Sequence, residues 1–438
     1  MIKINVKYLR VYVLFILSFV VTILSINVCN NTIINVLLFL ILPIEAIFSV
    51  NGDLFHPYTW FSAFFSIYSI SFPVTSALHF VTGFTNRTSY SKEILIYQLI
   101  GLFVYLIIIT PKRIPKITSN DISRFQVDIG LLNKLLYAFL VITLMGTVFY
   151  IKKMGFSGKD EIYSSGDIFL NMIFKVPLIV TLLYSYLFIS YFAKTQKIPF
   201  KHIFIVGISL LLITLFSGER DFVFRFLLVT VLLLWFFNIL KFHHLLIVVP
   251  SLGALLPLST IFKYYFLRGT LFVYNSKNLL YLIFAGEFES AASNLQIVIN
   301  HSENTEGVLG YKQLLIDVIS AFDSNIPSPS SWFTNTFFKG STTQYGFSLV
   351  GEGYVIGGIL GIITVFVVMS LIVKCFYRKA LKNIYCLCSY IYLVSVTIYS
   401  IRGDLGIIFS ALLKQIGFIV LILYCLEKSS KRNRNREI

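Results

Sequence analysis

Apolar runs of about twenty residues recur along the whole of this chain, and that is the length an α-helix needs to cross ~30 Å of hydrocarbon. They lie near 8–26, 32–50, 58–80, 93–110, 130–151, 168–193, 200–216, 221–240, 244–266, 348–376, 383–400 and 404–426. The 200–216 and 221–240 pair is tight enough to be read as a re-entrant feature instead. Over 438 residues the chain is 57% hydrophobic and 13% charged, whereas an ordinary soluble domain is about 25% charged. The surplus apolar surface has to face lipid, so the expected fold is an all-α polytopic membrane protein of about 12 transmembrane helices.

The first run follows Lys3, Lys7 and Arg10 as a signal peptide would, but no small-x-small cleavage site closes it, and it reads as an uncleaved span. Orientation follows from Lys and Arg in the connecting segments. With the N-terminus inside, twenty of them fall on inner segments and twelve on outer ones, and three of the latter, Lys277, Lys312 and Lys339, lie in one long segment that the rule does not weigh. Both termini are therefore expected in the cytoplasm. The division is 1–268 with nine spans, 269–347 as a large extracytoplasmic loop domain, 348–426 with three more spans, and a basic cytoplasmic tail at 427–438. The net charge of +16 thus marks membrane orientation, and no broad soluble basic face for nucleic acid is visible. Cys29, Cys375, Cys386, Cys388 and Cys425 are odd in number and lack metal-ligand spacing, so neither a disulfide framework nor a metal site is expected.

Within the outer segment, Val308, Tyr311, Leu315, Val318, Ile319 and Phe322 recur at helical spacing, with Lys312, Asp317 and Asp323 elsewhere on the wheel. Such a helix suits a membrane surface. The stretch Ile326-Pro327-Ser328-Pro329-Ser330-Ser331-Trp332 ends it. Three arginines abut apolar runs on the outer side: Arg220 in Ser217-Gly218-Glu219-Arg220-Asp221, Arg268 in Phe266-Leu267-Arg268-Gly269, and Arg402 in Ile401-Arg402-Gly403-Asp404. Near lipid an arginine costs roughly 2.5–3.5 kcal/mol even on lenient insertion scales, and so calls for an anionic partner. Singly, Arg220 and Arg402 are explained by the neighbouring Glu219, Asp221 or Asp404 neutralising a helix end. Together on one face they suit a multiply charged anion, because the guanidinium fork matches phosphate oxygens. A lipid-linked pyrophosphate would place that anion at the membrane surface. Arg225 is set aside as the i,i+4 partner of Asp221.

Proton acceptors are needed as well if the site transfers a sugar to a hydroxyl. Glu352 in Gly351-Glu352-Gly353-Tyr354, Asp221 and Asp404 are the candidate catalytic carboxylates. Glu287, Glu289, His301 and Glu303 also lie on the outer segment, with His301 and Glu303 reading as a solvated loop. Glu45 reads as a packing feature beside Pro43. Glycines from Gly340 to Gly361 allow close approach and turns before the tenth span.

In order, Phe72-Pro73-Val74-Thr75-Ser76, Ser217-Gly218-Glu219-Arg220, Arg268, Ile326-Pro327 with Trp332, Gly346-Phe347-Ser348-Leu349-Val350-Gly351-Glu352, and Arg402 resemble the pattern of the Wzy-type oligosaccharide repeat unit polymerases, which include O-antigen and enterobacterial common antigen polymerases. Glu219 and the Gly403-Asp404 pair depart from it. The resemblance implies a GT-C-like membrane glycosyltransferase in the bacterial cytoplasmic (inner) membrane, free of metal and cofactor. It would join undecaprenyl-pyrophosphate-linked donor and acceptor oligosaccharides at the outer face, with a polysaccharide chain-length regulator as a possible partner. On this reading Arg220, Arg268 and Arg402 hold pyrophosphate, and Glu352, Asp221 or Asp404 takes the acceptor proton. Two rivals share parts of the pattern: an O-antigen ligase, for which His301 would matter, and a lipid-linked oligosaccharide flippase. The second predicts internal repeats and midplane charges, whereas this sequence carries its charges at the outer boundary.

Overall fold

The computed structural model describes residues 6–80, 87–114, 127–154, 175–217, 219–241, 286–322, 326–340 and 345–434, with 82, 85, 243, 244 and 284 between them. The expected span at 244–266 and Arg268 lie outside the described residues. Among the described residues every regular element is a helix. They run α1 (Val6–Val28), α2 (Thr32–Ser49), α3 (Pro57–Ala77), α4 (Glu93–Ile108), α5 (Ile129–Met154), α6 (Val176–Thr195), α7 (Phe200–Ser217) and α8 (Asp221–Phe236). The outer segment supplies α9 (Glu287–Asn300), the single turn α10 (Ser302–Thr305), α11 (Lys312–Ser320) and α12 (Pro329–Phe337). Then come α13 (Leu349–Lys379), α14 (Ile384–Ser400), α15 (Leu405–Ser410), a π-helical segment (Ala411–Gly417) and α16 (Phe418–Arg434).

Six of these stretches are long and apolar enough to cross a membrane: α1, α2, α5, α6, α13 and the continuous run Leu405–Leu426. Three shorter apolar helices accompany them, α4, α14 and most of α7. Leu17, Val21, Leu24 and Val28 on α1 are each more than half exposed. A stripe of that kind is costly in water and is stable against lipid. The chain is therefore membrane-embedded and multi-pass.

The chain divides into two compact units, each assembled from separated segments. Unit 1 comprises 1–115, 276–378 and 396–410. At its centre α3 is buried along most of its length, packed against α2 and against α9 of the outer segment. Burying so polar a helix requires internal partners for its hydroxyls. Ser66 and Ser71 supply them by donating back to the carbonyls of Ser62 and Ile67, at 2.6 and 2.5 Å. The ends of the unit 1 helices sort into two sets. At one end His56 meets the Thr110 carbonyl and Lys374 donates to the Ile108 carbonyl. At the other the 307–309 turn donates its amides to the carbonyls of Tyr354 and Val355.

Helix α13 is broken at Gly357 and Gly358, where Gly358 has φ 58° and ψ −138°, a combination that a side chain cannot adopt without strain. The chain folds back there. In a straight helix residues eight apart stand ~12 Å apart, yet a Cβ on Gly361 would overlap the Gly353 carbonyl oxygen. The break separates a short arm, 349–356, from a 359–379 helix that is still ~31 Å long.

Unit 2 comprises 116–275, 379–395 and 411–438. Among its candidate spans α6 is the best buried, and it packs with α5, α7 and α8.

Candidate functional site

In unit 1 three carboxyl groups are withdrawn from water together. Glu352 on the short arm of α13 and Asp317 on α11 are fully buried, and Asp404, just before α15, is 3% exposed. Each reaches the cluster through a distinct piece of local structure. The Glu352 Oε2 accepts the Leu405 amide at 2.8 Å, so this carboxyl caps the start of α15. Asp404 Oδ2 accepts the Ser330 hydroxyl at 2.6 Å and its amide at 3.3 Å. Ser330 is held there because Ser328 caps α12 by accepting the Ser331 amide, with Pro329 in the first turn. Asp317 Oδ1 accepts from Gln313 at 2.8 Å, one helical turn earlier. Close packing of α11 on α15 passes through Gly406, where an added Cβ would lie 3.8 Å from Asp317 Cβ and 3.3 Å from Asp404 Oδ1.

The remaining oxygens, Asp317 Oδ2 and Glu352 Oε1, are buried with no hydrogen-bond partner. Burial raises the Asp317 carboxyl above its ordinary range, opposed by the neighbouring Glu352 and by the Gln313 donor, while the negative charge of Asp404 adds to the rise. Burial likewise raises Asp404, against the opposing donors of Ser330. Among the described residues no ion pair engages any of the three. Among those residues there is also no group of ligands arranged for a metal ion.

Arg402 stands two residues before Asp404 in the turn between α14 and α15, half-buried, with its guanidinium 4.7 Å from the centre of the Tyr399 ring. Gly346 touches the backbone of that turn so closely that a Cβ there would lie 2.7 Å from the Arg402 carbonyl oxygen. The Leu349 amide donates to the Ile401 carbonyl at 3.2 Å. Unit 1 therefore brings together Glu352, Arg402 and Asp404 of the sequence-derived candidates. Thr75, from the Phe-Pro-x-Thr-Ser stretch, joins the same unit by donating to Glu289 at 2.8 Å. Thr82 donates to that same oxygen, and burial raises the Glu289 carboxyl, opposed by these donors.

Arg220 and Asp221 belong to unit 2. Arg220 precedes α8 and is half-buried. Asp221 Oδ2 accepts the Arg225 Nε at 2.7 Å, the i,i+4 pair expected from spacing. Arg225 in turn bonds Tyr392, whose hydroxyl donates to Gln415 of the π-helical segment at 2.6 Å. Asp221 is thus engaged by a buried guanidinium. His301 is exposed, and its Nδ1 bonds the Ile297 carbonyl of its own helix at 2.8 Å.

Sequence reasoning put Asp317 on the polar side of an amphipathic helix and went no further. The structure turns that side inward: Gln313 and Asp317 are buried, while Val308, Tyr311, Leu315, Ile319 and Phe322 are exposed. A Gln and an Asp one turn apart on a helix whose other face is apolar apart from Lys312 was the available signal. Comparison with protein-family models, with curated proteins and with solved structures returns no match.

Proposed function

We propose that the chain is a glycosyltransferase that polymerises lipid-pyrophosphate-linked oligosaccharide repeat units at the outer face of the bacterial cytoplasmic membrane. The observation that carries this reading is a half-buried arginine in the same turn as Asp404, whose carboxyl is buried with those of Glu352 and Asp317. An acceptor hydroxyl attacks the anomeric carbon of the donor sugar and the bond from that carbon to the pyrophosphate oxygen breaks. The hydroxyl proton passes to the Asp404–Glu352–Asp317 group, and the lipid pyrophosphate departs with the bonding electrons. Arg402 stabilises the charge that develops on the leaving group, a task worth roughly 10²–10³-fold per donor. Arg220 and Arg268 are assigned to pyrophosphate by the same chemistry. Asp221 positions Arg225 rather than acting as the base.

A carboxyl raised by burial suits a proton acceptor that works near neutral pH. The ligase alternative leans on His301, which is exposed and bonded to its own helix. The deciding assay uses the detergent-purified chain with lipid-pyrophosphate-linked repeat units. A ladder of lengthening products with release of lipid pyrophosphate supports the proposal. Transfer of one glycan to a different lipid would favour a ligase, and translocation across vesicles without chain growth a transporter.

A further inference from the structure

Beside the carboxyl cluster, on its outer-segment side, lies a groove of about 480 Å³ whose lining includes Gln313, Pro327, Trp332, Asn335, Thr336 and Lys339. We propose that this groove binds the sugar rings of an oligosaccharide and receives an acidic substituent at Lys339. This assignment rests on the glycosyl-transfer reading above and deepens it by naming the part of the substrate held away from the reacting bond.

The volume falls within the ~300–1,000 Å³ of small-ligand sites. Its chemistry is that of a saccharide, which offers a C–H face to an apolar surface and hydroxyls to amides and alcohols around the rim. Trp332 supplies the apolar surface. It is not free to swing away, because its ring meets Phe337 edge-on at 6.2 Å and Phe347 at 6.3 Å. An aromatic fixed in this way loses little freedom on binding. Asn335 and Thr336 follow on the exposed side of α12, one turn before Lys339. Of the described residues lining the groove Lys339 alone is charged, which favours an anionic group over a cationic one.

Gln313 links the groove to the chemistry. It is 5% exposed, it lines the groove, and it donates to Asp317 of the cluster at 2.8 Å. A saccharide seated here lies one amide away from the carboxyls that would take its proton. The helix that carries Gln313 and Asp317 turns its apolar residues outward, so the groove sits beside an exposed apolar surface.

The test uses full-length protein in nanodiscs and, as probe, the water-soluble oligosaccharides released by mild acid from the lipid-linked pool of cells that express the chain, separated by anion exchange into neutral and acidic fractions. Binding is read by saturation-transfer NMR and by titration. We expect saturable binding of the acidic fraction, weakened about tenfold or more by Trp332→Ala and much less by Trp332→Phe. Lys339→Ala weakens the acidic fraction several-fold at low salt, and the difference shrinks as salt rises. Wild-type protein that binds neither fraction, or Trp332→Ala protein that binds as wild type does, overturns the groove assignment. Thermal unfolding of each variant separates a lost site from a lost fold. The same variants in the chain-growth assay keep the two proposals apart. Normal growth by Trp332→Ala and Lys339→Ala sinks the groove alone, whereas oligosaccharide binding without any chain growth by wild type sinks the polymerase reading and leaves a saccharide site.

Discussion

Two regions of this molecule bury aspartate beside apolar helices and deal with it in opposite ways. At the start of α8, Asp221 is answered within its own helix by Arg225, and the pair is extended by Tyr392 and Gln415. In unit 1, Asp317, Glu352 and Asp404 converge from three distant segments, and amide and hydroxyl donors stand where a cation would. The first arrangement makes a charge safe. The second keeps carboxyl groups in a state where they can gain or lose a proton, at a cost in stability that a purely structural site has no reason to bear.

The largest effect that would break this contrast is on stability. Arg225→Ala leaves Asp221 without its partner, and stranding a buried charge costs about 3–5 kcal/mol. We expect low yield and a lowered unfolding midpoint. Asp221→Asn with Arg225→Met should recover much of the loss, which a double-mutant cycle measures; a fully additive cycle would contradict a structural pair. Next comes Arg402→Ala, expected to lower polymer formation roughly 10²–10³-fold at normal protein levels, with Arg402→Lys recovering only part. Long-chain polymer at wild-type amounts in both variants would sink the anion-binding role.

Smaller is the effect of Ser330→Ala. It removes a hydroxyl from Asp404 and should cost about 1–2 kcal/mol in stability, while shifting the pH dependence of activity upward because a donor to the charged form has gone. An unchanged pH profile would separate Asp404 from the chemistry. The smallest effect is of sign. Asp317 is raised to about 6 in the folded chain, against about 3.9 unfolded, so the folded state binds its proton more tightly. Its contribution to stability is present below the unfolded value and is lost as pH rises toward 6. Activity, which needs a proton acceptor, should rise across that same window. Thermal unfolding and chain growth measured from pH 4 to 7 should therefore move in opposite directions, and Asp317→Asn should flatten the stability trend.

The apolar helices were legible because a span is specified locally, by some twenty consecutive residues. The Asp221–Arg225 pair was legible for a similar reason, since four residues of separation fix it on one helix face. Glu352 and Asp404 could be nominated from their glycine-flanked, boundary positions, but nothing in either segment reveals that they meet. Their partner Asp317 was passed over, because a wheel shows which residues share a face and not which face is turned inward. The glycines from Gly351 to Gly361 promised close approach. That the chain doubles back at Gly358 depends on backbone angles that composition does not specify. Trp332 stood out in the sequence only as the end of the 326–332 stretch, since its groove is built with Gln313 from another helix.

The central claim is that the buried cluster beside Arg402 moves the proton in glycosyl transfer. It is tested most directly by chain growth from lipid-pyrophosphate-linked repeats with purified Glu352→Gln protein, a substitution that keeps shape and hydrogen bonding and removes the acid. The account predicts a fold and a thermal midpoint close to wild type with growth reduced by at least two orders of magnitude. Growth at the wild-type rate by properly folded Glu352→Gln protein would contradict it.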